Sequence, residues 1–184
     1  MNNHNLVDVI TSDHRDVEAL FGELESGSGS PEHRRDLADH VIAELVRHSV
    51  AEEMYMYPAV REHVPGGEKI ADHELSEHAE AEEIMKELEG LDATDSRFDK
   101  CLGELMQTIR HHVSEEESDL LPKLAAACGA EKLDDLGSKV VNAKKVAPTR
   151  PHPSAPNTPP ANFVIGAGVG LVDRLRDGLS SRNV

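Results

Sequence analysis

His48-Ser-Val-Ala-Glu52-Glu53-Met-Tyr55-Met-Tyr-Pro58 is answered 64 residues later by His112-Val-Ser-Glu-Glu116-Glu117-Ser-Asp119-Leu-Leu-Pro122. In each copy a histidine precedes a glutamate by four positions, a step that puts both side chains on one face of an α-helix about one turn apart. Working outward, the same shift carries His14 onto His78 and pairs Leu20 with Ile84, Leu24 with Leu88, Val41 with Leu105 and Leu45 with Ile109. Core positions repeat along with the polar ones, as in a duplicated scaffold whose halves each supply part of one metal site.

The apolar spacing predicts a helix over residues 5–25, carrying Leu6, Ile10, Val17 and Leu24 at three- and four-residue steps. Gly-Ser-Gly-Ser at 27–30 breaks it, and Ser30-Pro31 opens a second helix that runs to about Arg61. A third is expected from about Lys69 to Leu88 and a fourth from about Arg97 to Ala127, with Pro122 as a bend. Short loops between long helices make neighbours antiparallel, so the expected fold is all-α: an up-down-up-down four-helix bundle over residues 1–128. Residues 129–145 read as a short additional helix. Residues 146–184 begin with six of the ten prolines, all before position 161, and form a Pro-rich C-terminal extension. Its helix-like end is expected to dock on the bundle or on a neighbouring subunit, with a disordered tail as the alternative.

Composition narrows the function. The chain has 184 residues, 38% hydrophobic, with 3% aromatic and no Trp, so the core must be aliphatic, as suits a helix bundle. Its formal charge is −16, yet residues 146–184 carry four Arg against two Asp, so the acid is concentrated in the bundle. Such a surface repels nucleic acid and anionic lipid. Neither a secretory leader nor an apolar run long enough to span a membrane is read from the sequence, and Cys101 and Cys128 read as reduced thiols, so the expected location is cytoplasmic.

Both His/Glu pairs lie on apolar stripes. Burying two carboxylates that face each other is costly unless a cation lies between them, and a di-metal centre removes the penalty. His14 and His78 would add imidazoles from the other two helices. Imidazole with carboxylate suits iron, manganese or zinc, with iron the first choice. His111 with Glu115 is a competing pair, but the ten-residue spacing to the following proline selects His112. Glu18 and Glu82, each four after a ligand, are read as supporting carboxylates or solvated charges, and Glu53 and Glu117 as surface or capping charges. Tyr55 lies seven after His48 on the same face. It is expected to bond a bridging Glu or to ligate metal. His4, His33, His40, His63, His73 and His152 receive no role.

His14, His48 with Glu52, His78, and His112 with Glu116, each motif followed by Glu and Pro, together resemble the hemerythrin-like family, the HHE cation-binding domain. The resemblance covers roughly residues 5–127 and implies a four-helix bundle with an oxo- or hydroxo-bridged pair of irons. It makes His14, His48, His78 and His112 terminal ligands and Glu52 and Glu116 bridges. The oxygen-carrying members use five histidines and end in a His-x-x-x-x-Asp motif, whereas Glu stands four after His112 here. Twelve coordination positions on two irons less ten filled by these groups and the bridge leave two open. That count favours reaction over oxygen carriage: catalase-like removal of hydrogen peroxide, or of nitric oxide. Alternatives are a module that senses or stores O2, NO or iron without turnover, and a bundle held by structural metal.

Overall fold

A computed structural model of the chain describes residues 5–158, 161–180, 182 and 184, with residues 161–167 and 180 described as backbone only. Helices are α1 (Leu6–Glu25), α2 (Pro31–Ala51), α3 (Tyr57–His63), α4 (Gly67–Glu89), α5 (Phe98–Glu115), α6 (Leu121–Ala127), α7 (Ala130–Lys144) and α8 (Ala161–Ser180), and the described residues contain no strand. Local chemistry starts and stops them. Asn5 caps α1 by accepting from the Val7 N–H, and Ser30 caps α2 by accepting from the His33 N–H, with Pro31 at its first position. Between α3 and α4, Gly66 takes φ of 76°, and a Cβ on Gly67 would meet the Val60 carbonyl at 2.0 Å, so this turn requires glycine.

The second and fourth expected helices are each interrupted at the same place. A π-helical turn, Glu52–Met56, joins α2 to α3, and its repeat mate, Glu116–Leu120, joins α5 to α6. Each precedes a proline by two positions, at Pro58 and Pro122. Proline has no N–H to continue an α-helical ladder, and its ring clashes with the carbonyl four residues back; the wider turn relieves both.

Cross-contacts establish the topology. Asp13 meets His48 and Glu23 meets His33, so α1 and α2 are antiparallel. Arg35 bonds the Leu88 carbonyl while Glu53 meets His78, which sets α2 against α4. Cys101 meets Ile84 while His73 meets Glu115, so α4 and α5 are antiparallel. Arg110 holds Glu25 and Arg15 holds Glu117, which closes α5 onto α1. This is the up-down-up-down bundle that the short loops between long helices predict.

Two apolar clusters fill the bundle. One contains Phe21, Ile42, Leu45, Met85, Leu88, Phe98 and Leu105; the other contains Leu6, Ile10, Met56, Val60, Leu120 and Leu124 and is extended by Leu133, Leu136 and Val140 of α7. Each fully buried aliphatic side chain contributes about 1.5–3 kcal/mol. The repeated polar residues lie in a band between the clusters.

The C-terminal extension lies against α2 and α4. His152 donates its N–H to Glu82, Arg150 pairs with Glu89 and Asp177, and Arg182 pairs with Asp39 and Asp177. Buried Asp173 accepts from the Thr149 and Arg150 backbone N–H groups and from His152. Gly170 lets α8 approach closely, since a Cβ there would meet the Val146 carbonyl at 2.3 Å. Gly168 and Gly170 both lie inside this helix. No helix among the described residues is long and apolar enough to cross a membrane.

Candidate metal centre

His14, His48, Glu52, His78, His112 and Glu116 come together in the band between the two clusters, and all six are buried. The α-helical stretches carry each His/Glu pair to the same level, and the antiparallel packing points the pairs at each other. His48 Nε2 lies 3.1 Å from Glu52 Oε1, and His78 Nε2 lies 3.4 Å from Glu52 Oε2, so one carboxylate reaches an imidazole from each half. Glu116 does the same with Oε2, which lies 3.5 Å from His14 Nε2 and 3.8 Å from His112 Nε2. Two donor groups result, His14/His48/Glu52/Glu116 and Glu52/His78/His112, and they share Glu52.

Each imidazole is held from behind by a carboxylate at Nδ1. The distances are 2.8 Å for His14 with Glu117, 3.2 Å for His48 with Asp13, 3.1 Å for His78 with Glu53 and 2.9 Å for His112 with Glu77. These bonds obey the repeat: the shift of 64 turns His14–Glu117 into His78–Glu53 read from the other half, and His48–Asp13 into His112–Glu77. An Nδ1–H donated to a carboxylate leaves the Nε2 lone pair free to ligate.

The inward atoms test whether cations fit. Nε2 of His14 and of His48, both oxygens of Glu52 and Oε2 of Glu116 have no hydrogen-bond partner, although all are buried. Such atoms are too costly to leave uncompensated, and bound metal cations would satisfy them. Electrostatics agree. Burial opposes protonation of His48, but Glu52 and Asp13 outweigh it and raise this imidazole to about 10. Burial likewise pushes Glu52 up, yet His48 and His78 take its carboxyl well below the usual range. The cavity demands positive charge at its centre.

Several residues differ from their sequence reading. Glu53 and Glu117 are not surface charges, because each turns inward onto a histidine. Glu18 pairs with Arg110 at the surface and Glu82 receives the His152 N–H, so neither bonds a site histidine in the hydrogen-bond network. The place foreseen for Tyr55 is taken by Tyr57. Its hydroxyl lies 2.9 Å from His78 Nε2 and donates to Glu116 Oε1 at 3.1 Å, while half-buried Tyr55 packs against the second apolar cluster. The π-turn is the cause: the Tyr57 N–H bonds the Glu52 carbonyl five residues back, which stacks Tyr57 above Glu52. Burial and the charges of Glu116 and Glu52 hold the Tyr57 phenol well above its ordinary range, so it is a neutral donor. Glu74, unremarked in the sequence, is buried 3.0 Å from His112 Nδ1 and groups with His112 and Glu116. His111 is exposed, as its register requires, and His4 lies outside the described residues.

Two cavities adjoin the site. One of about 20 Å³ is lined by all four histidines together with Val17, Leu45, Ala81, Ile109 and Val113. Another of about 50 Å³ lies under the extension, between Glu53, His78 and Glu82 on one side and Pro148, His152 and Val169 on the other.

Comparison with known proteins agrees with this geometry. A curated hemerythrin-like protein of Schizosaccharomyces pombe is 32% identical over 171 residues, covering 92% of this chain and 84% of that protein. A DNA nickase of Nostoc is 26% identical over 140 residues, 76% of this chain but 39% of that protein's length. The crystal structure of a hemerythrin HHE cation-binding domain-containing protein from Mycobacterium kansasii superposes with a TM-score of 0.67 at 20% identity, covering 77% of this chain and 85% of that one. The hemerythrin HHE cation binding domain itself matches residues 5–124. The chain therefore belongs to the hemerythrin HHE cation-binding domain family and is a metal-binding helical bundle.

Proposed function

We propose that the chain holds two bridged irons and disproportionates hydrogen peroxide, with nitric oxide a second substrate. The observation that carries this reading is the doubled donor set: two imidazoles from each half, with Glu52 reaching both. Imidazole and carboxylate donors shared between adjacent cations suit iron, and manganese or zinc less well for redox work. A pair of irons there supplies two-electron chemistry, by which one hydrogen peroxide is reduced to two waters while another is oxidised to dioxygen.

The protein's own part is positional. Asp13, Glu53, Glu77 and Glu117 keep the four Nε2 lone pairs aimed inward. Tyr57 offers a hydroxyl proton at Glu116. A cavity of about 20 Å³ walled by Val17, Leu45 and Ile109 admits a molecule of a few atoms and little else, since a water needs about 10–15 Å³ by the same measure. That size supports H2O2, O2 and NO as the ligand class.

Metal analysis and a visible spectrum of purified protein, followed by peroxide in an oxygen electrode, test this. Iron near two per chain with oxygen evolution supports it; iron-loaded protein that evolves none removes it. A second reading, a sensor or store without turnover, draws on the extension roofing the cavity beside His78 and Glu53. A stable adduct with O2 or NO, and a protease sensitivity of residues 148–158 that changes with it, would favour that reading. The nickase activity belongs by name to the Nostoc protein, and a charge of −16 speaks against a phosphate-backbone substrate here.

A further inference from the structure

The two oxygens of Glu77 face different partners. Oε2 holds Nδ1 of His112 at 2.9 Å, while Oε1 faces the surface, 3.7 Å from Nε2 of both His73 and His111. The same two imidazoles flank Glu115, with His73 Nε2 2.9 Å from its Oε2 and His111 Nε2 3.6 Å from its Oε1. His73 and Glu77 stand one turn apart on α4, His111 and Glu115 one turn apart on α5, so the four side chains close a ring in which imidazole and carboxylate alternate.

The internal repeat indicates what such a ring faces. Asp13 is the counterpart of Glu77 and holds His48 as Glu77 holds His112. Its outer oxygen, Oδ1, meets the Lys144 ammonium at 2.6 Å, and Glu44 lies 3.8 Å from the same ammonium. In one half, then, the chain supplies a cation outside the carboxylate that orients the histidine. In the other half the ion pairs formed by Glu77 among the described residues are with His73, His111 and His112, and buried Glu74 lies 3.0 Å from the same His112 Nδ1. Positions matching His73, His111 and Glu115 are Val9, Arg47 and Ala51, so the ring was built in one half only.

We infer that His73, Glu77, His111 and Glu115 form a separate surface site for a divalent transition-metal ion of the zinc or ferrous class, standing where Lys144 stands in the other half. Two imidazoles with two carboxylates are an ordinary donor set for such an ion. His73, Glu77 and Glu115 each offer a ligand atom within 4.8 Å of one another, and the exposed His111 ring stands beside that group, its Nε2 3.6 Å from Glu115 Oε1 and 3.7 Å from Glu77 Oε1. The ion touches the buried centre only through Glu77, so it also marks a holding point for cations bound inward, a role that rests on the reading of that centre given above.

The test begins with protein loaded with its buried metal, desalted and assayed for metal content, then titrated with Zn2+ at near-neutral pH. Wild-type protein is expected to take up one further equivalent per chain. The His73→Ala/His111→Ala double variant should bind it roughly tenfold or more weakly, with the metal retained through desalting unchanged. His111→Lys, which puts an ammonium beside Glu77, should abolish the extra uptake in the same way. Both histidines are exposed, so neither variant threatens the fold. Equal uptake by wild type and variants, or none by any of them, overturns the surface site. A low metal count after desalting speaks against the buried centre instead, and the two failures are read from separate measurements.

Discussion

The Tyr57 hydroxyl donates to Oε1 of Glu116 across the bundle at 3.1 Å, joining the π-turn that follows one His/Glu pair to the carboxylate of the other. This bond crosses the two halves of the repeat yet has no symmetric counterpart, because the repeat mate of Tyr57 is Leu121. It makes the two ends of the metal site chemically distinct.

Replacing Tyr57 with Phe should therefore leave bound metal in place while removing one buried hydrogen bond, at a cost of about 1 kcal/mol in denaturant unfolding. Because the hydroxyl donates to Glu116, the visible spectrum of the loaded variant should keep all its bands. Disappearance of an intense band in Tyr57→Phe would mean a phenolate ligand and would contradict the donor role.

The carboxylates behind the rings should matter nearly as much as the ligands. Glu53→Gln and Glu117→Gln each remove charge from the Nδ1 of one histidine, and each should weaken metal binding roughly 10–100-fold without unfolding the bundle. Chelator competition measures it. Wild-type affinity in both variants would show that the rings need no such support.

Removing metal should lower stability, since ions that bind only the folded chain add about 2.7 kcal/mol at a hundredfold excess over Kd. For a chain of this size that corresponds to a melting temperature lower by roughly 5–10 °C after chelation. Identical melting curves for loaded and stripped protein would be incompatible with cations bridging Glu52 and Glu116.

Acid should release the C-terminal extension. Burial pushes Asp177 and Glu89 up, but Thr149, Arg150 and Arg182 around Asp177 and Lys86 and Arg150 around Glu89 outweigh it and hold both carboxyls below their ordinary values. Groups depressed on folding stabilise the docked state above their unfolded pKa, and the contribution is lost as pH falls through the folded pKa. Protease cleavage within residues 148–158 should therefore rise below the ordinary carboxylate range, and Asp177→Asn should reproduce the effect at neutral pH. An extension in Asp177→Asn as resistant as in wild type would refute this account.

How much of the centre could be read in advance depended on where a constant helical period holds. His48, Glu52, His112 and Glu116 stand before or at the start of a π-turn and His14 and His78 on uninterrupted α-helices, so the spacing of 3.6 residues per turn applies to all six and puts them on inward faces. Beyond Glu52 and Glu116 one extra residue enters the turn. Positions after it rotate by about 100°, which is why Tyr57 rather than Tyr55 reaches the site. The inward course of Glu53 and Glu117 had a signal, since they repeat with the ligands, as do Asp13 and Glu77; pairing each with a histidine across helices needed the packed bundle.

From the chain alone, the repeat at 64, the capping residues and the short loops were enough for an all-α bundle with six converging His and Glu side chains, because these are local or periodic properties of the sequence. The buried Glu74, the surface ring around Glu77 and the contact of the extension with Glu82 and Glu89 came only from the folded molecule. Each depends on side chains far apart in sequence meeting at a distance of a few ångströms, and no local pattern carries that information.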